Sequence, residues 1–152
     1  MIIEQGQRPI RAVLDLNIIV SATIVPRGPA FHTWNEWRAG RFTLLISRGM
    51  IVELTGKLTE RRIAERYRFP QEYAWRTASV LRSADIVIDV PGHEVVAVTG
   101  DPEDDLVLAT CRLTQADYLV TRDRRLLGLG NHEGTAIVDP SDFLRILARS
   151  PQ

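Results

Sequence analysis

Acidic residues stand at positions in this sequence from which they could share one site. Asp15 closes the apolar run IRAVLD, and Asp123 closes YLVTRD. Glu53 lies within one helical pattern, and Asp104 with Asp105 opens another. Two unit charges about 4 Å apart repel by about 4 kcal/mol at an effective dielectric of about 20, so such a cluster needs a counter-charge. The pattern therefore predicts a site for a divalent cation.

The side chains present favour a hard metal ion. Carboxylate oxygens suit Mg²⁺ and Mn²⁺, whereas the sequence has no cluster of Cys and His that would indicate structural zinc. One or two such ions can position and deprotonate a water molecule for in-line attack on a phosphodiester bond. Phosphodiester hydrolysis is the reaction class that fits these residues.

The segments that must position these acids alternate between strand and helix patterns. Short apolar runs bounded by turn residues predict five strands, over residues 10–14, 42–46, 85–90, 118–120 and 135–139. Continuously apolar strands with helices between them predict a three-layer α/β/α fold with a central, mostly parallel sheet. Ligands of such folds bind at the carboxyl ends of the strands, where Asp15 and Asp123 are predicted to lie.

The helix that begins near Glu103 has clear starting signals. Asp101 or Thr99 can cap its first N–H groups, and Pro102 suits its first turn. Asp104 could equally be a first-turn acid that interacts with the helix dipole. The predicted apolar stripe of this helix consists of Leu106, Ala109 and Leu113.

Length and composition are those of one folded domain. Of the 152 residues, 45% are hydrophobic and 25% charged, which predicts one domain over residues 10–148 after an N-terminal tail of residues 1–9. Nineteen basic residues balance nineteen acidic ones, so any contact with nucleic acid must rest on a local patch. With Cys111 as the one cysteine and no apolar run long enough for a membrane span, we expect a cytoplasmic protein without a membrane partner.

Several segments resemble motifs of the PIN-domain family. They are VLDLNIIVSA, FTLLISRGMIVELTGKL, DPEDDLVLATC and ADYLVTRDRRLL, and IVDPSDFLRIL is similar to the closing strand and helix of that family. The resemblance runs from Ile10 to about Leu147. Within the family it is greatest to bacterial, VapC-like proteins that are regarded as toxin components of toxin–antitoxin systems.

The resemblance implies a specific set of site residues. The catalytic and metal-binding quartet would be Asp15, Glu53, Asp105 and Asp123. Accessory positions would be Asn17, Asp104 and Thr121. The resemblance also implies a ribonuclease dependent on Mg²⁺ or Mn²⁺, a small antitoxin protein that covers or enters the site, and a homodimer.

The sequence departs from the family pattern beside the first acid. Family members usually have Thr or Ser there, whereas this chain has Leu16, so a hydroxyl that could contribute to the metal site is missing. Since alternate residues of a strand face opposite sides, we expect Leu16 to pack inward while Asp15 and Asn17 face the pocket. Asn17 could then orient Asp15 or a metal-bound water, although an Asn at this position is also a common turn residue.

Two other assignments have plain structural alternatives. On the sequence alone Glu53 would be an exposed helical residue, and its phase beside the apolar stripe and the family motif are what favour the site. Arg122, Arg124 and Arg125 surround Asp123 and form a candidate RNA-contacting rim. The same arginines could also be the solvated start of a helix.

Three functions compete at this point. The favoured one is an endoribonuclease that acts as the toxin of a toxin–antitoxin pair. A catalytically weak PIN-fold module that binds RNA or protein is favoured by Leu16 but disfavoured by the complete acidic quartet. A phosphatase of the haloacid dehalogenase type would need a second Asp where Asn17 stands, and the sequence lacks it.

Overall fold

The strands form a single, mostly parallel sheet. A computed structural model describes residues 8–60, 65–66 and 71–151. Within these ranges the strands are β1 Arg11–Leu14, β2 Thr43–Ser47, β3 Ile86–Ile88, β4 Tyr118–Val120, β5 Asn131–His132 and β6 Thr135–Val138. They lie in the order β3-β2-β1-β4-β6-β5, and every neighbouring pair is parallel except β5 with β6.

The sheet has six strands rather than the predicted five. The additional strand, β5, is two residues long and forms a hairpin with β6. The turn residues Glu133 and Gly134 both have positive φ angles, which two-residue hairpin turns commonly require. Two residues are too few to show an alternating pattern, so periodicity in the sequence did not indicate this strand.

Both faces of the central strands are covered. Successive residues of a strand point to opposite faces, yet Ala12 and Val13 of β1 and Leu44 and Leu45 of β2 are all 0% exposed. A sheet buried in this way must have packed layers on both sides. The predicted layered α/β fold is therefore confirmed.

Helices separate most of the strands along the chain, and the last helix follows β6. In the described residues they are α1 Leu16–Ile24, α2 Gly28–Arg38, α3 Arg48–Leu58, α4 Gln71–Arg82, α5 Pro102–Thr114, α6 Arg124–Leu129 and α7 Pro140–Arg149. Asp101 caps α5 as expected, because its Oδ1 accepts hydrogen bonds from the N–H groups of Glu103 and Asp104. No helix among these residues is long and apolar enough to cross a membrane.

The buried face of α5 is broader than the predicted stripe. Ala109 is buried and Leu106 packs against the core, as predicted, but Leu113 is 37% exposed, and Val107, Leu108 and Cys111 are almost fully buried. Asp104 lies three, four and seven residues before these last three positions. Because such residues share one face of a helix, α5 directs Asp104 toward the sheet.

Candidate active site

The topology of the sheet brings the ends of β1 and β4 together. These parallel strands are neighbours at the centre of the sheet, and their register pairs Leu14 with Val120. The chain leaves β1 for a strand on one side and leaves β4 for a strand on the other, so strand order reverses here. Asp15 and Thr121 each follow a paired residue, so they lie side by side at the edge where α/β folds bind ligands.

Asp15 is a buried carboxylate with a hydroxyl partner. Its side chain is only 2% exposed, and its Oδ2 accepts a hydrogen bond of 2.8 Å from Thr121 Oγ1. Burial raises the pKa of Asp15, the nearby Glu103 and Asp123 carboxylates add to the rise, and the Thr121 hydrogen bond opposes it. A buried carboxylate in this state is a strong candidate to bind a cation.

Thr121 connects two of the predicted acids. While its hydroxyl donates to Asp15, its Oγ1 accepts a hydrogen bond of 3.0 Å from the backbone N–H of Asp123. Asp123 caps α6 through a bond of 2.8 Å from the Arg125 N–H to its Oδ1. The two acids are thereby held at the same edge of the sheet by one threonine.

Asp104 completes the cluster from the other side. It is 6% exposed, and its Oδ2 lies 3.3 Å from Nη2 of Arg125. The same guanidinium lies 3.7 Å from Oδ2 of Asp123 and 3.4 Å from Oδ2 of Asp101. Four carboxylates, those of Asp15, Asp101, Asp104 and Asp123, thus surround a region that Arg125 only partly neutralises; we call these four the acid cluster.

Burial and the crowding of carboxylates raise the pKa of Asp104. Burial, followed by repulsion from Asp123, Asp101 and Asp15, raises the pKa of Asp104 to about 6 against the opposing effect of Arg125. A carboxyl group with a pKa of about 6 is largely ionised at pH 7 but costs free energy in that state. A bound cation would remove this cost.

The raised pKa makes stability depend on pH. Between the ordinary pKa of Asp104 and about 6, the folded protein holds a proton that the unfolded chain has released, so the contribution of Asp104 to stability falls as pH rises. In a chelator, the Tm of the Asp104→Asn variant should exceed that of the wild type by a margin that grows from pH 4 to pH 7. Thermal unfolding followed by circular dichroism measures this margin, and a margin independent of pH would contradict the assigned shift.

Asp105, the predicted third member of the quartet, lies outside the acid cluster. Its Oδ1 accepts hydrogen bonds from the N–H groups of Val98 and Thr99, at 3.1 and 2.8 Å, and from Thr99 Oγ1 at 3.0 Å. Burial acts to raise the pKa of Asp105, but these hydrogen bonds outweigh it and lower the pKa. The structure therefore places Asp104, predicted only as an accessory residue, where Asp105 was expected, because one residue along a helix is a rotation of about 100°.

Glu53 lies on α3 with an exposed side chain. It makes no hydrogen bond or ion pair with any residue that the structure describes. One turn later, Lys57 forms an ion pair of 3.1 Å with Glu103 and lies 3.5 Å from Oδ1 of Asn17. Since residues four apart share a helix face, Glu53 is on the same side of α3 as Lys57, which faces Asn17 and Glu103.

Lys57 and Glu103 were not among the predicted site residues. Lys57 joins Asn17 to Glu103, and Glu103 is close enough to Asp15 to raise its pKa. The spacing of four residues between Glu53 and Lys57 was the signal in the sequence that could have indicated the lysine. These side chains form a charged rim beside the acid cluster.

The residues after Asp15 are placed differently from the prediction. Leu16 is fully buried, as expected, but it is the first residue of α1 and not part of a strand. The alternation argument was therefore wrong, and Asn17 is exposed at the rim beside Lys57. In the described residues the hydroxyl partner of Asp15 is Thr121, so a hydroxyl is present although Leu16 supplies none.

The three predicted rim arginines have different surroundings. Arg125 lies against the acid cluster, whereas Nη1 of Arg122 is 3.3 Å from Oγ of Ser21. Arg124 is exposed and has no hydrogen-bond or ion-pair partner among the described residues. Of these three arginines, Arg125 is the one that contacts the acid cluster.

The acid cluster suits a hard divalent cation in its chemistry. Its donors are all carboxylate oxygens, and they carry more negative charge than Arg125 offsets. In the part of the chain that the structure describes, no three His, Cys, Asp or Glu side chains are already arranged as a metal site. Binding of an ion would therefore require these side chains to move.

Comparison with known proteins identifies the family of this chain. The family model described as PIN domain matches residues 11–125, which include β1, β4 and the whole acid cluster. A solved structure of VapBC2 from Rickettsia felis bound to a DNA fragment from their promoter is similar in fold, with a TM-score of 0.57 and 17% identity. The alignment covers 86% of this chain and 98% of that one. No curated protein matched the sequence. The family match spans most of the chain and contains its site, so the protein belongs to the PIN-domain family.

Proposed function

We propose that this protein is a metal-dependent endoribonuclease that hydrolyses RNA phosphodiester bonds. The observation that carries the proposal is the convergence of Asp15, Asp104 and Asp123 at the edge where β1 and β4 end. Membership of the PIN-domain family supports nuclease activity. The all-oxygen donor set supports Mg²⁺ or Mn²⁺ as the cofactor, bound as one ion or two.

Each residue of the site has a role in this proposal. Asp15, Asp104 and Asp123 would hold the metal, which supplies charge neutralisation and an activated water. Thr121 fixes the position of Asp15 through its hydrogen bond of 2.8 Å. Glu53, which is exposed on α3 one turn before Lys57, would contribute its carboxylate from the rim. Asp105 orients the loop before α5 through its bonds to Val98 and Thr99.

Positive groups at the rim would position the RNA. Arg122 and Arg124 are exposed residues that flank Asp123 in the chain, and Lys57 lies on α3 beside Asn17. Phosphate contacts of this kind fix the position of a nucleic acid without reading its sequence. The neutral overall charge of the chain means that binding should depend on this local patch.

The proposal is tested by cleavage of single-stranded RNA by the purified protein in Mg²⁺, Mn²⁺ or chelator. We expect cleavage with metal, none with chelator, and none by the Asp123→Asn variant in any condition. Asp142→Asn is the matched control, because Asp142 is exposed on α7, where its partner is Arg145. Equal cleavage by Asp123→Asn and Asp142→Asn would show that the activity does not come from this site.

We further propose that the protein is the toxin of a toxin–antitoxin pair and forms a homodimer. The fold similarity to VapBC2 and the motifs in the sequence support the toxin assignment, and the homodimer is what the family resemblance implies. A small protein encoded by the adjacent gene should co-purify with this chain and inhibit its cleavage of RNA. Sedimentation of the purified protein measures the dimer directly.

A catalytically weak binding module is the second candidate. Leu16 favours it, since no hydroxyl follows the first acid. The hydrogen bond from Thr121 to Asp15 weighs against it, because the buried carboxylate has a hydroxyl partner despite Leu16. Binding of RNA without cleavage in any metal would favour this alternative.

A further inference from the structure

Arg125 contacts three of the four carboxylates of the acid cluster. Its Nη2 lies 3.3 Å from Asp104, 3.4 Å from Asp101 and 3.7 Å from Asp123, in each case from Oδ2. The arginine side chain is nevertheless 60% exposed, so charge holds it in place more than packing does. The ion pair with Asp101 is exposed on both sides and contributes little to stability. The ion pair with Asp104 neutralises a carboxylate side chain that is itself only 9% exposed.

The backbone of Arg125 is fixed independently of its side chain. Arg125 is the second residue of α6, and its N–H donates to Oδ1 of the capping residue Asp123 at 2.8 Å. The flexible side chain can therefore swing away from the carboxylates without loss of the helix cap. Its guanidinium remains charged wherever it points, because arginine does not lose its proton at ordinary pH.

A guanidinium and a divalent cation compete for the same oxygens. The carboxylates that Arg125 contacts include those of Asp104 and Asp123, two of the three residues that would hold the metal. As long as Arg125 remains, it neutralises one negative charge and occupies this space. An ion that enters the cluster is repelled by the arginine until its side chain has moved.

We propose that Arg125 is the internal counter-ion of the acid cluster: a divalent cation displaces it, and the released guanidinium then pairs with a backbone phosphate of the RNA. The inference rests on the proposed metal site. It gives Arg125 two positions, against carboxylates without metal and against phosphate with metal. Guanidinium groups suit both partners, since they bind carboxylate and phosphate oxygens with the same fork of donors.

Affinity for Mn²⁺ is the direct test, measured from the signal of free Mn²⁺ in electron paramagnetic resonance. Arg125→Gln should bind Mn²⁺ about tenfold more tightly than the wild type, because a positive charge beside the ion has been removed. Arg124→Gln removes the same net charge from an exposed residue without a described partner, so its affinity should stay within about twofold of the wild type. Equal affinities of the two variants would overturn the inference.

Thermal unfolding gives a second readout that does not depend on activity. In chelator, Arg125→Gln should have a lower Tm than Arg124→Gln, because the carboxylates have lost their counter-charge. Saturating Mn²⁺ should reverse that order. A Tm in chelator that is the same for both variants would contradict the counter-ion role of Arg125.

The proposed contact between the released Arg125 side chain and an RNA phosphate is tested with a non-cleavable RNA analogue. In Mn²⁺, Arg125→Gln should bind the analogue more weakly than the wild type and lose about one unit of salt slope. In chelator, the two proteins should bind equally, because the wild-type arginine is engaged with the acids. If Arg125→Gln bound the analogue more weakly than the wild type by the same factor in Mn²⁺ and in chelator, the proposed exchange of Arg125 between carboxylates and phosphate would be overturned.

The outcomes distinguish failure of this inference from failure of the proposed function on which it rests. If wild type and Arg125→Gln both fail to bind Mn²⁺, the proposed metal site fails, and the inference fails with it. If all three proteins bind Mn²⁺ with one affinity, the metal site is supported while the role of Arg125 is overturned.

Discussion

The Asp104→Asn variant should lose RNA cleavage, whereas Asp105→Asn should retain it. Loss of groups that only support a metal ligand commonly costs about 10- to 100-fold in activity, so loss of the proposed ligand Asp104 should cost more than about 100-fold. Asp105 has a different function, because its carboxylate holds Val98 and Thr99 of the loop before α5. Initial rates of cleavage of a labelled RNA in Mn²⁺ measure the difference.

Stability should change in the opposite direction in the two variants. Asp105→Asn weakens charge-assisted hydrogen bonds to two backbone N–H groups and should lower the free energy of unfolding by about 1 kcal/mol. Asp104→Asn removes a crowded charge and should raise the Tm in chelator at pH 7. If Asp105→Asn were the inactive variant and Asp104→Asn the active one, the arrangement of α5 described above would be wrong.

Asp15→Asn should abolish cleavage while making the metal-free protein more stable. The carboxylate is 2% exposed, and in the described residues Thr121 is the side chain that donates to it. Asn keeps an oxygen that can accept from Thr121 but removes the cost of a buried charge. We expect cleavage to fall by more than about 100-fold and the free energy of unfolding in chelator to rise by about 1 kcal/mol, or about 2 to 4 °C in Tm.

Added metal should separate this variant from the wild type. Mn²⁺ should raise the Tm of the wild type, since an ion that binds only the folded state stabilises it, and should have little effect on Asp15→Asn. Asp85→Asn serves as the control for loss of an acidic residue away from the site. Asp85 accepts hydrogen bonds from the Leu44 N–H and from the indole N–H of Trp37. An Asp15→Asn variant that is less stable than the wild type in chelator would show that the buried charge is not a cost.

Much of the fold follows from local patterns in the sequence. The runs RAVL and TLLIS contain the successive apolar residues AVL and LLI, a pattern typical of strands covered on both faces, and they form the central strands β1 and β2. Asp101 followed by Pro102 marks the start of α5, because the capping bonds are made within a few residues. The short strand β5 was missed because its pairing with β6 depends on one turn and not on a hydrophobic pattern.

The sequence by itself determined which acids end the strands and that they would meet. Asp15 and Asp123 follow apolar strands, and parallel strands deliver their carboxyl ends to one edge. Whether Asp104 or Asp105 joins them was decided by the tertiary structure, since adjacent helical residues point about 100° apart and the packing of α5 sets which one faces the sheet. Tertiary structure likewise decided that Arg125 lies against the cluster, because 21 residues separate it from Asp104 and only the fold brings their charges together.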